Sequence, residues 1–326
     1  MTRGLALRAA LVALAVSPLS VAGAQPAPPK PAPPQTTINT MLAIQDAPDA
    51  AYGAYQRGYY LTAFNEASKR AQQSDPAAMT LLGELYAHGY GVGRDDAKAA
   101  QWYKQAADLG NRDAMFALAM FAYEGRGGPR STAEGARLLT QAANLGHPAA
   151  NYDLGLLYLQ GQEFKQDFAR AAELFRVAAS AGNPEAQYAL GTMYKEGRGV
   201  AKDVRQAMAL MLRASIAGHL DAMVEFAIAQ FNGDGTDKDE AAAARLFLTA
   251  ARRGSPIAQN RLARILMAGR GMPADPAEAI RWHIVAKKGG AGDPELDLFA
   301  SKQTPAVREA ADKAAKKWLS TEMALR

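Results

Sequence analysis

The chain contains no cysteine. A disulfide framework, a zinc–thiolate site, an iron–sulfur cluster and a cysteine nucleophile are thereby excluded. Folding stability then owes nothing to an oxidising compartment. No stretch of 18 consecutive apolar residues occurs, and a membrane-spanning helix needs about 20. Histidine is scarce: His88, His147, His219 and His283 are the only four in 326 residues. His147 and His219 follow a turn glycine in equivalent places two repeats apart, which predicts helix starts too distant to share a metal. The sequence has no G-x-x-x-x-G-K-[ST], no G-x-S-x-G and no H-E-x-x-H, so phosphate-cradling and hydrolytic motifs are missing. Asn232 to Glu240 is the densest acidic run, but Gly at the sixth and Glu at the twelfth position of a Ca²⁺ loop are absent. It reads as a solvated loop whose aspartates cap the next helix. No catalytic residue, metal site or cofactor is expected.

What is present begins with a targeting pattern. Arg3 and Arg8 precede the apolar run Ala9 to Val16, which Ser17-Pro18 ends, and Ala22-Gly23-Ala24 offers small residues for cleavage. Residues 1–24 read as a secretory signal peptide cut after Ala24. Lacking a cysteine it has no lipobox, and lacking an arginine pair it points to a Sec-type route. The expected location is periplasmic or secreted. Residues 25–40 form a Pro/Ala-rich linker, and Gln25 to Gln35 favours extended polyproline II as a semi-rigid spacer.

The remainder is periodic. Gly89, Gly125, Gly161, Gly197, Gly233 and Gly269 recur every 36 residues. So do Gly110, Gly146, Gly182, Gly218 and Gly254, the alanines from Ala106 to Ala286, and the small-residue column Gly83, Ala119, Gly155, Gly191, Ala227 and Ala263. Each unit reads as helix, loop, helix, tight turn. In one copy Asn183-Pro184 is a cap followed by proline at the first helical position, Gly197-Arg198-Gly199 breaks the first helix, Asp203 caps the second, and Gly218 takes a left-handed C′ position. Gly191 within the first helix implies close approach of the second, with the Ala207 column as its partner. The period describes one uninterrupted stack: a degenerate N-terminal unit over 41–75, six repeats over 76–290, and C-terminal capping helices over 291–326, starting at Asp293-Pro294 and Thr304-Pro305.

Ala78, Leu82-Gly83, Tyr86, Gly89, Gly91-Val92, Asp95, Lys98-Ala99, Trp102, Ala106-Ala107 and Gly110 resemble the Sel1-like repeat family, a relative of the tetratricopeptide repeat. The third loop (Gly161-Gln162-Glu163-Phe164) lacks the second glycine and the valine of that pattern, and the second loop has Gly128 in place of the valine. The resemblance implies an all-α, right-handed α-solenoid whose first helices line a concave groove. It also implies a protein-interaction role, as in periplasmic family members that restrain a sensor kinase or assemble envelope complexes. Cysteine-rich members linked to β-lactam hydrolysis or cell-wall ligands are no guide here, because their cysteines are missing.

By analogy with tetratricopeptide repeats, four positions of the first helix face the groove, six and three residues before the small column and one and four after it; the last three lie on one stripe. They read Thr80, Phe116, Tyr152, Tyr188, Val224, Asn260; then Glu84, Met120, Leu156, Thr192, Ile228, Arg264; then Ala87, Tyr123, Leu159, Lys195, Phe231, Met267. Columns that build a fold keep one residue type, whereas these vary and stay apolar in the middle units. Phe116, Met120, Tyr123, Tyr152, Leu156 and Tyr188 are the expected anchors of a protein or peptide partner. A cell-wall polysaccharide or peptidoglycan is the alternative ligand, and a cell-wall hydrolase a more distant one. Neither a nucleic acid partner nor a membrane span is expected.

The formal charge of +5 is small but unevenly placed. Residues 25–244 carry 20 basic and 24 acidic groups, and residues 245–326 carry 15 and 8. Arg252, Arg253, Arg264, Lys287 and Lys288 thus form an expected basic C-terminal surface that would meet an anionic envelope.

Overall fold

The structure, a computed structural model, describes residues 49–324. The expected signal peptide, the Pro/Ala linker and residues 41–48 lie outside the described residues. Sixteen helices and no strand occur among the described residues, as an all-α solenoid. The described residues fall into two compact units, 49–181 and 182–324. The division falls between the third and fourth repeats.

Unit 1 opens with α1 (Ala50–Gln56) and α2 (Tyr60–Ala71). Three repeats follow: α3 (Pro76–His88) with α4 (Asp96–Asp108), α5 (Arg112–Glu124) with α6 (Thr132–Asn144), and α7 (Pro148–Gln160) with α8 (Phe168–Ser180). Unit 2 holds α9 (Pro184–Glu196) with α10 (Val204–Ile216), α11 (Leu220–Asn232) with α12 (Glu240–Arg252), and α13 (Pro256–Ala268) with α14 (Pro276–Lys288). It ends with α15 (Pro294–Ser301) and α16 (Pro305–Ala324).

Capping fixes the helix ends. Asp75, Asn111, His147, Asn183, His219 and Ser255 each accept a backbone N–H in the first turn of a first helix. Asp95, Ser131, Asp167, Asp203, Asp239 and Asp275 do so for the second helices. Such caps contribute about 0.5–2 kcal/mol each. One residue also serves two helices. The Asn111 N–H donates back to Ala106 O at 3.0 Å, closing α4, while its side chain opens α5. His147, His219 and Ser255 repeat this, donating to Ala142, Ala214 and Ala250. Gly110 and its equivalents sit between at positive φ, which only glycine adopts readily. No residue is left over, so the period stays at 36.

In four of the loops the second glycine has a different purpose. Gly91, Gly127, Gly235 and Gly271 lie on the first residue of the preceding second helix, or of α2, namely Tyr60, Asp96, Val204 and Glu240. The residue between the glycines reaches the same place. Tyr90 stacks on Tyr60 at 4.6 Å, Arg126 donates to Asp96 at 2.7 Å, and Arg270 donates to Glu240 at 2.5 Å.

The small column of the first helix seats a large side chain from the second. A Cβ on Gly83 would stand 2.5 Å from the Tyr103 ring, and one on Gly155 2.6 Å from the Phe175 ring. The second helix does approach Gly191 closely, with the Ala207 carbonyl 3.2 Å and the Met211 side chain 3.1 Å from where a Cβ would stand. At the end of unit 2, Trp318 of α16 meets Trp282 of α14 edge-on at 5.1 Å, with Arg281 stacked over both.

Candidate partner-binding faces

In unit 1 the face of the first helices is largely sealed. Phe116, Met120 and Tyr152 are half-buried. The ring of Phe116 lies flat on His147 at 4.5 Å, and Tyr152 packs tilted against Phe175 at 5.7 Å. His147 Nδ1 accepts the Ala150 N–H at 3.0 Å, so capping needs a lone pair on that nitrogen. Burial lowers the His147 pKa below its usual 6.5, against the opposing pull of Asp113.

Two expected anchors are corrected here. Tyr123 is 7% exposed and Leu156 1%, so neither offers a surface. The Tyr123 ring fills the space over Gly135 of α6, 2.8 Å from where a Cβ would stand. Burial also pushes its phenol well above the usual 10. Leu156 belongs to a helix with almost no open side: from Ala150 to Leu157 every residue except Tyr152 is buried. At the start of unit 1 a cleft of about 180 Å³ is lined by Asp49, Tyr52, Tyr55, Arg70, Glu84 and Asp113. Arg70 is bound there to Asp49 and Asp75. The Tyr55 phenol is pushed up to about 12 by burial, Glu84 and neighbouring tyrosines.

In unit 2 Tyr188 repeats the Phe116 arrangement. It is half-buried, stacked on His219 at 4.5 Å, and its phenol is pushed up to about 12 by burial and by Asp221 and Glu225. His219 caps α11 by accepting the Ala222 N–H at 3.2 Å, and burial lowers its pKa too. Lys195 pairs with Glu225 at 2.6 Å. Further along, the columns open into a cavity of about 350 Å³. Ile228, Phe231, Phe247, Ile265 and Met267 line its apolar part, and Arg261, Arg264, Arg270 and Glu295 its polar part. The sequence columns therefore contain this site, but the residues singled out as anchors are not the ones that line it.

Nearby acceptors engage much of the expected basic surface. Arg264 holds Asp293 at 2.6 Å and Glu295 at 2.7 Å. Lys287 holds Asp297 at 2.8 Å, and Arg253 donates to Gly218 O at 2.7 Å. Arg252 and Lys288 are exposed. Burial alone would raise the Asp293 carboxyl, yet hydrogen bonds from Arg264 and Asn260 bring it down to about 2.

One group escaped sequence reasoning. His283 is 3% exposed and donates from Nε2 to the Asp297 carboxylate, 2.8 Å away, while its Nδ1 has no hydrogen-bond partner among the described residues. The signal was available: it stands where the preceding repeats place Tyr103, Leu139, Phe175, Met211 and Phe247. Among the described residues no cluster of three or more His, Asp or Glu is arranged to hold a metal ion. No described helix is long and apolar enough to cross a membrane.

Comparison with known proteins agrees with this architecture. The Sel1 repeat family model matches residues 76–111, 112–147, 148–183, 184–219, 220–255 and 256–290. A Sel1 repeat protein from Oxalobacter formigenes superposes with a TM-score of 0.61 at 27% identity, covering 72% of this chain and 94% of that one. The Escherichia coli protein c5321, a protective antigen of uropathogenic strains with an SLR fold, gives a TM-score of 0.57 at 25% identity, over 86% of this chain and 70% of that one. No curated protein matches.

Proposed function

The chain belongs to the Sel1 repeat family, and from that premise we propose that it is a non-catalytic, exported scaffold. It holds a protein or peptide partner of the cell envelope on the face formed by its first helices. Sel1 repeat proteins are generally protein-interaction scaffolds. The observation that carries the reading here is the contrast between columns. The framework alanines from Ala106 to Ala286 repeat one residue type and are buried. Face positions vary from repeat to repeat and leave Phe116, Met120, Tyr152, Tyr188, Ile228, Phe231 and Met267 half-open. Partly open aromatic and methionine side chains suit a protein contact.

A hydrolase needs uncommitted acid and base groups, and Glu225, Asp293 and Glu295 on this face are in ion pairs. Export is supported by Arg3, Arg8, the Ala9 to Val16 run and Ala22-Gly23-Ala24. N-terminal sequencing of the mature protein is expected to start at Gln25.

The test replaces Tyr152 and Tyr188 together by alanine and recovers partners by in-cell crosslinking with mass spectrometry. The expected result is loss of the wild-type partner with an unchanged circular dichroism spectrum. Recovery of the same partner by a folded double variant contradicts the assignment of the binding face.

A further inference from the structure

We propose that the cavity of unit 2, between α11 and α13, recognises a segment of a partner protein that pairs a large apolar side chain with an adjacent Asp or Glu. This rests on the scaffold reading and specifies its chemistry. The floor is Ile228, Phe231 and Met267, half-buried side chains that remain partly in contact with water. Burying them against an apolar side chain is favourable at about 25 cal/mol per Å². The cavity's about 350 Å³ lies at the lower end of the range of ligand pockets, about 300–1,000 Å³.

The rim sets the sign of the partner. Arg261, Arg264, Arg270 and Glu295 line it, and with Asp293 and Glu240 already paired to Arg264 and Arg270, Arg261 is the cation left to set that sign. A guanidinium carries five N–H donors. Arg264 gives Nε and Nη2 to Asp293 and one Nη1 hydrogen to Glu295, which leaves donors on both terminal nitrogens. Arg270 gives Nε and Nη2 to Glu240, and its guanidinium lies 4.5 Å over the Phe231 ring. Arg261 is exposed and in no ion pair among the described residues. Two of the three cations are therefore held in place before any ligand arrives, so less side-chain freedom is lost on binding. Their open N–H groups suit a carboxylate in two-point contact.

A wholly apolar segment would desolvate Arg261 without pairing it. A small carboxylate alone would leave the floor wet. Only a segment with both groups satisfies both parts of the cavity.

The experiment pans a phage-displayed random heptapeptide library on the full chain at low ionic strength and then measures a synthetic enriched peptide by fluorescence anisotropy. Enrichment of Asp or Glu next to Phe, Leu, Trp or Met is expected. Arg261→Glu should weaken the peptide at least about tenfold, equivalent to about 1.4 kcal/mol, and added salt should weaken it further. Arg261 is exposed and in no ion pair among the described residues, so its variant tests binding without disturbing the fold. Met267→Asp is a second probe of the floor. Enrichment without acidic residues, or binding by Arg261→Glu within twofold of wild type, overturns the proposal. Self-association that depends on Arg261, with no peptide selected, overturns it in favour of a second copy. If Tyr152→Ala with Tyr188→Ala removes the cellular partner while Arg261→Glu changes nothing, the scaffold reading stands and this site falls. If neither matters, the scaffold reading itself falls.

Discussion

Unit 1 and unit 2 each contain three copies of the same repeat, yet they finish the first-helix face in different ways. In unit 1 the variable columns are filled from within. Tyr123 turns onto Gly135, Leu156 is buried, and His147 covers Phe116. The cleft that remains there is lined by more carboxylates than cations. In unit 2 the same columns begin sealed at Tyr188 and His219 but open at α11 and α13 into an apolar cavity with an arginine rim. A repeat fold thus fixes where the face lies, while the residues of each copy decide whether that face is packing or surface.

The largest effect expected concerns what the two units share. Gly127 in unit 1 and Gly271 in unit 2 have positive φ and lie on the backbone of Asp96 and Glu240. Alanine at either is expected to cost about 2–5 kcal/mol in urea unfolding, from left-handed strain together with overpacking. Gly128→Ala, with open space around it, is expected to stay within about 0.5 kcal/mol of wild type. Equal effects at Gly127 and Gly128 would break the account of the loop.

The next prediction separates the units. Gly83→Ala pushes into the Tyr103 ring and is expected to cost about 1–3 kcal/mol. Gly191→Ala meets first the flexible end of Met211 at 3.1 Å, and the helix propensity of alanine offsets the crowding by about 1 kcal/mol. Its stability is expected to change by less than about 1 kcal/mol.

A smaller effect tests the corrected anchor. The Tyr123 hydroxyl is buried without a hydrogen-bond partner. Tyr123→Phe removes that desolvated group and is expected to stabilise the protein by about 1 kcal/mol, leaving partner capture unchanged. Loss of capture would return Tyr123 to the surface.

The finest test is one of pH. The folded-state pKa values of His147 and His219 lie below 6.5, so the folded chain binds fewer protons than the unfolded one. The stability from these groups is complete above pH 6.5 and is lost as pH falls below it. Asn replaces His as the cap in α5 and α9, so His147→Asn with His219→Asn should keep the caps and flatten the stability profile between pH 5 and 7. An unchanged slope would show that the imidazoles do not titrate as their capping bonds require.

Most of the fold was legible because it is written in columns. Glycine at 36-residue spacing, Asp or Asn caps and the alanine columns each have a single local cause. The site was less so, because a column gives the direction a side chain leaves its helix and not what covers it. Phe116 and His147 are 31 residues apart, Arg264 and Asp293 are 29. One clue was readable. Gly135 interrupts the column Ala99, Ala171, Ala207, Ala243, Ala279 in the same repeat that carries Tyr123, a paired small-for-large exchange that implies burial. The charge count of residues 245–326 was likewise correct as a sum, but ion pairs formed across repeats were invisible to it.

Exposed apolar residues also occur on second helices, with Ile216 of α10 at 79% exposure. A partner held on the first helices leaves these residues uncovered. The most direct measurement places a photoreactive amino acid at Met267 in one variant and at Ile216 in another, irradiates cells, and compares the adducts. The account predicts a partner adduct from Met267 and none from Ile216. An adduct from Ile216 with none from Met267 would contradict it.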